Sequence, residues 1–169
     1  MSVKEGDRKP SKLEAAVMAR ALAVHTLRIC GNRNVFNPYV RTRTGELGED
    51  GQPVYETHYN PCYEALVSEL CTAALDISRL VWNANNIRVR TRVRNGATEH
   101  SQIDAGKRRG LQDDAIRRCN DLLADMQVAR SAFHLPGKKV KHWGKMTVET
   151  REKIRAWRDS DVRRYGGRL

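Results

Sequence analysis

Apolar residues recur at every third or fourth position in four stretches of the chain. That spacing lines them up along one side of a helix. In the first stretch, after Pro10, the apolar positions are Leu13, Val17, Ala21, Val24 and Leu27, with Ser11 as the expected N-cap and Gly31-Asn32 as the stop. The second opens at Asn60-Pro61, where proline in the first turn forfeits no helical hydrogen bond. Its stripe is Leu66, Leu70, Ala73, Ile77, Leu80, Ala84 and Ile87. The third covers 101–134, with Ala115, Cys119, Leu122, Met126, Ala129 and Phe133 in line and Ile116 and Leu123 widening the stripe. Pro136-Gly137 breaks it. The fourth runs over 138–164, with Val140, Trp143, Thr147, Ile154 and Trp157 on a narrow apolar side.

The stretches between these helices lack a 3.6-residue period. Residues 32–60 carry Pro38, Gly45, Gly48, Gly51 and Pro53. Within them GELGEDGQPV reads as a turn, flanked by VRTRT and VYETHY as a small hairpin, an ornament outside the core. Arg88, Arg90, Arg92 and Arg94 recur at period two before an Asn95-Gly96 turn signal. An extended chain would put all four on one side; a helix would spread them. The short link between the third and fourth helices predicts that these two run antiparallel. The expected fold class is therefore all-α: an antiparallel four-helix bundle with a long irregular loop between its first two helices. The expected organisation is a flexible segment 1–10, one domain over 11–164 with the insertion 32–60, and a tail over 165–169. No internal repeat is apparent.

Charge changes this picture more than composition does. The chain of 169 residues has 31 Lys+Arg against 20 Asp+Glu, a formal net charge of +11. Such an excess predicts attraction to polyanions, nucleic acid above all, or to an acidic protein. The N-terminus MSVKEGDRKPSK has no secretory apolar run, and no stretch of the chain reaches membrane-spanning length, so a cytoplasmic location is expected. Cys30, Cys62, Cys71 and Cys119 form no paired spacing and read as reduced core thiols.

Little in the sequence points to bond-making chemistry. His134 and His142 are separated by a helix break; His25, His58 and His100 lie elsewhere, and no HExxH spacing exists. His134 is expected to cap a helix end. There is no nucleophile elbow, phosphate-binding glycine loop or paired-carboxylate pattern. No catalytic residue, cofactor or metal is expected, and the chain is read as a non-enzyme. The signal lies in two basic clusters. Residues 138–168 hold eleven Lys and Arg against four acids. From them Lys138, Lys139, Lys141, Lys145, Arg151, Arg155, Arg158, Arg163 and Arg164 are candidate nucleic-acid contacts, with Arg151, Arg155 and Arg158 spaced as one ridge. Residues 88–118 hold nine cations against four acids. They add Arg88, Arg90, Arg92, Arg94, Lys107, Arg108 and Arg109. Such residues suit phosphate contacts, which are strong, salt-dependent and indifferent to base sequence. Trp82, Trp143 and Trp157 fall at or near core spacing. The aromatics do not interleave with the cations in the manner of a single-strand stacking platform.

Four segments together resemble the accessory variability determinant (Avd) proteins of diversity-generating retroelements. They are HTLRIC at 25–30, ALDI at 74–77, AIRRCNDLLADMQVARSAFHL at 115–135 and KKVKHWGKMTVETREKIRAWRDSD at 138–161. The resemblance touches all four helices and ends in Trp-Arg-x-Ser-Asp. It implies a four-helix bundle assembled into a ring-shaped homopentamer. It implies partnership with the element's reverse transcriptase, and contact with template RNA or the RNA–cDNA hybrid through a basic surface, in support of mutagenic cDNA synthesis and retrohoming. A related bundle family is encoded within 23S ribosomal RNA genes. The 32–60 linker and the Arg-rich 88–110 stretch depart from the family pattern and are candidates for partner-specific surfaces. The competing reading is an interaction module that binds an acidic protein or ribosomal RNA.

Overall fold

The computed structural model describes residues 10–166, with side chains from residue 14 onward. The proposed flexible segment, the end of the tail and Leu13 of the first stripe thus fall wholly or mostly outside the described residues. The elements are α1 (Pro10–Cys30), β1 (Tyr39–Leu47), β2 (Pro53–Tyr59), α2 (Tyr63–Asn86), β3 (Thr91–Arg94), β4 (Ala97–His100), α3 (Gln102–Phe133) and α4 (Gly137–Tyr165). Ser11 lies inside α1, not at its cap.

The four helices stand where periodicity places them, each against two neighbours: α1 against α2 and α4, and α3 against the same two. Side-chain pairs fix their directions. Glu14 meets Lys153 while Thr26 meets Trp143, so α1 and α4 run antiparallel. Arg108 meets Asp161 while Arg151 meets Asn120, so α3 and α4 do too. The Tyr63 hydroxyl reaches the Cys30 carbonyl, which puts the start of α2 beside the end of α1.

The all-α expectation is corrected by two small antiparallel sheets of two strands each. In the first, Tyr39 pairs with Tyr59 and Arg43 with Tyr55, and the register shifts between Arg43 and Leu47. Gly45 there takes φ 90 and Gly51 at the turn takes φ 73, values that glycine adopts without a Cβ clash. The second, β3–β4, closes on Asn95 (φ 50) and Gly96 (φ 76), the two left-handed residues of a tight hairpin turn. Both sheets form for one reason. Their Thr, Val, Tyr and Arg residues cannot build an apolar helical side, but they pair well across strands. The 32–60 segment is thus mostly hairpin, anchored by Phe36, which is fully buried against Tyr63 and Phe133.

The stripes of α2, α3 and α4 face the core; that of α1 does not. Val17 is 59% exposed, Val24 41% and Leu27 42%. The buried side is instead Ala15, Ala19, Leu22, Ala23, Thr26 and Ile29. The bulky Trp143 and Trp157 of α4 fill the interior, and the buried side of α1 sets three alanines and Thr26 beside Leu22 and Ile29 against that filling. Trp143 Nε1 donates to Thr26 Oγ1 at 2.8 Å, which satisfies both buried groups. Trp82, despite its near-core spacing, is 54% exposed. The thiols also divide. Cys30 and Cys119 are buried, and burial pushes the Cys119 thiol up to about 12; Cys62 is exposed, against the core expectation.

Candidate nucleic-acid interface

The cations sort by whether the fold supplies a carboxylate partner. Arg108 is almost wholly buried. Its Nε donates to Asp161 Oδ2 at 2.7 Å and its Nη1 to the Ile87 carbonyl at 3.1 Å, and its guanidinium lies over the Trp157 ring. Gln112 Nε2 joins it on Asp161. Arg108 therefore ties α2, α3 and α4 together and is closed to a ligand.

The ridge of Arg151, Arg155 and Arg158 is largely occupied. Arg158 pairs with Asp113 and Asp159, Arg155 with Glu152, and Arg151 with Glu152 and Asn120. The Asp113 carboxylate beside Arg158 raises the affinity of that guanidinium for its proton above the ordinary arginine value. Lys145 pairs with Glu149 and Lys153 with Glu14. The middle of α4 is thus internally balanced, contrary to what its net charge alone suggests.

What remains lies at the two ends of the bundle. At the α3–α4 turn, Lys138, Lys139 and Lys141 are exposed, with no acidic partner among the described residues. At the opposite end, Arg88, Arg92, Arg94, Lys107, Arg163 and Arg164 are exposed. There Arg92 and Arg94 occupy alternate positions of β3, and Arg164 sits over the Tyr165 ring. Arg90 precedes β3 and is tied to Asp104 through Nε at 2.7 Å and Nη2 at 3.2 Å. That pairing holds the Asp104 carboxyl well below the usual carboxylate range, chiefly through the hydrogen bond from Arg90. Arg109 is half-buried on α3 and engaged within the fold. The candidates therefore form two basic poles separated by a neutralised waist, not one continuous surface.

The first pole carries a feature that helix-based reading missed. Residues directly paired across a sheet project to the same side. On β1–β2 the register puts Tyr39, Arg41 and Arg43 on one side with Tyr59, Thr57 and Tyr55. Tyr39, Tyr55 and Tyr59 are about half exposed, and Arg41 lies over the Tyr55 ring at 4.4 Å. Aromatic rings and guanidinium groups interleaved in this way make a stacking face for unpaired bases. Alternation within YVRTRT and VYETHY was the available signal; it becomes a shared face only once the two strands are paired.

Among the described residues no group of three His, Cys, Asp or Glu side chains is arranged to hold a metal ion, and no helix is long and apolar enough to cross a membrane. His134 takes the left-handed position after α3, with φ 51. His25 and His142, far apart in sequence, meet ring to edge with centroids 5.2 Å apart. Comparison with family models, with curated proteins and with solved structures finds no match to this chain.

Proposed function

We propose that the chain binds single-stranded nucleic acid, RNA first, without transforming it, and does so as an accessory protein to a reverse transcriptase of a diversity-generating retroelement. One observation carries the binding reading. Among the candidate contacts, the cations without carboxylate partners are gathered at two poles, and one pole also offers a tyrosine–arginine face. Unpaired cations gain by meeting phosphates and releasing their counterions, whereas paired ones must first give up a partner. The retroelement role rests on the resemblance of the four helix segments. In this reading the poles hold template RNA or its cDNA hybrid, and other faces meet the polymerase and further copies of the chain.

The test is a salt titration of single-stranded RNA binding. The logarithm of affinity is expected to fall steeply with the logarithm of salt. Replacing Lys138, Lys139 and Lys141 by alanine is expected to shallow the slope by about 0.7 for each phosphate that is no longer neutralised. A flat titration would overturn the nucleic-acid reading in favour of an acidic protein partner. Absence of a reverse-transcriptase gene beside this one, or failure of the chain to co-purify with its product, would overturn the retroelement role alone.

A further inference from the structure

Between α1 and the start of α4 lies a cavity of about 450 Å³. Its polar lining is His25 and Arg28 from α1, Asn32 from the following turn, and Lys138, Lys139 and His142 from α4; Ile29 and Val35 supply an apolar wall. No carboxylate among the described residues lines it. The Nε2 atom of His25, one of the lining residues, is itself buried and has no hydrogen-bond partner among the described residues. Asn32 Oδ1 accepts from the Asn34 backbone N–H at 3.0 Å, which leaves the Asn32 amide N–H groups as donors. The cavity also sits against the first turn of a 29-residue helix, whose dipole presents positive potential at that end.

We propose that this cavity is a binding site for a terminal phosphate monoester of a nucleic-acid strand, a deepening that rests on the nucleic-acid reading above. A terminal monoester carries close to two negative charges near neutral pH, against one for each internal diester. A recess that gathers cations from two helices without a countercharge favours the doubly charged group. Arg28 supplies a planar fork for two phosphate oxygens, Lys138 and Lys139 supply point charges, and the Ile29–Val35 wall suits the terminal sugar. The buried His25 nitrogen then acquires an acceptor as it takes up a proton. Burial first, then His142, Arg28 and Lys139, now oppose that proton, and an anion in their midst offsets the opposition.

The experiment compares three forms of one short single-stranded RNA, ending in a 5′-phosphate, a 3′-phosphate or hydroxyls only, by fluorescence anisotropy. One phosphorylated form is expected to bind about tenfold tighter than the hydroxyl form, and which one identifies the end that is held. In the Arg28→Gln variant the difference between the forms is expected to vanish. The His25 and His142 ring resonances of the unaltered protein are followed by NMR as a nucleoside monophosphate is added, and both are expected to move. Equal affinity for all three forms, with RNA binding intact and rings unmoved, overturns the pocket and leaves the broader function standing. Ring shifts without any RNA binding would keep the monoester pocket and overturn the RNA reading; neither effect would overturn both.

Discussion

At the scale of single residues, two side chains show how the interior converts sequence into constraint. Arg108 is a charge held in the core by Asp161 and a backbone carbonyl. Removing one member of such a pair strands the other in a medium that solvates it poorly. Arg108→Ala is expected to cost about 3–5 kcal/mol of folding stability, read as a lower urea midpoint. Arg163→Ala, at an exposed site, is expected to leave the midpoint nearly unchanged. His25 makes the second case. Burial, followed by its positive neighbours, holds its pKa below the ordinary 6.5. The unfolded chain therefore binds the proton more readily than the folded one. The folded state keeps its full advantage above 6.5 and loses it progressively as pH falls from that value down through the lower folded-state pKa. Thermal unfolding in phosphate-free buffer is expected to show a declining midpoint over that range, and His25→Gln is expected to flatten the decline. An unchanged profile in the variant would show that other groups set the acid sensitivity.

At the scale of elements, the β1–β2 hairpin separates from the bundle in what it contributes. Its strands are exposed for nearly their whole length, and its attachment runs through Phe36 and the Tyr59–Tyr63 contact. Tyr39→Ala and Tyr55→Ala are therefore expected to weaken single-stranded RNA binding by about 1–3 kcal/mol for each base unstacked, with the unfolding midpoint barely moved. Double-stranded RNA, whose bases are already stacked, is expected to be insensitive to the same changes. Anisotropy with matched single- and double-stranded forms makes the comparison. Equal losses for both would point to a purely electrostatic role for this hairpin.

At the scale of the whole molecule, the exposed stripe of α1 forms one wall of a groove. Val17 and Trp82 line a groove of about 700 Å³ between α1 and α2, rimmed by Arg20 and Arg79. A tryptophan left more than half exposed beside aliphatic residues is the composition of an interface centre. The self-association proposed with the function above would use this face. Trp82→Ser is expected to lower the mass measured by sedimentation while the helical circular dichroism stays constant. A monomeric parent protein, or an unaltered mass in the variant, would remove this face from any assembly.

The sequence by itself determined the four helices, the core stripes of α2, α3 and α4, the turns at Asn95-Gly96 and Pro136-Gly137, and the excess of positive charge. Each of these follows from residues within one or two turns of each other, where local spacing decides the outcome. Only the tertiary structure decided the rest. Which side of α1 is buried depended on partners far along the chain, such as Trp143 meeting Thr26. Which arginines remain open depended on Asp113, Asn120 and Asp161 arriving from other turns and helices. The tyrosine–arginine face needed a strand register, and the His25–His142 cavity needed α1 laid antiparallel on α4. Periodicity reports what a residue's own element offers; it carries no information about which side chain the fold sets opposite. For a basic protein that opposite partner decides whether a cation stabilises the fold or stays open to a ligand.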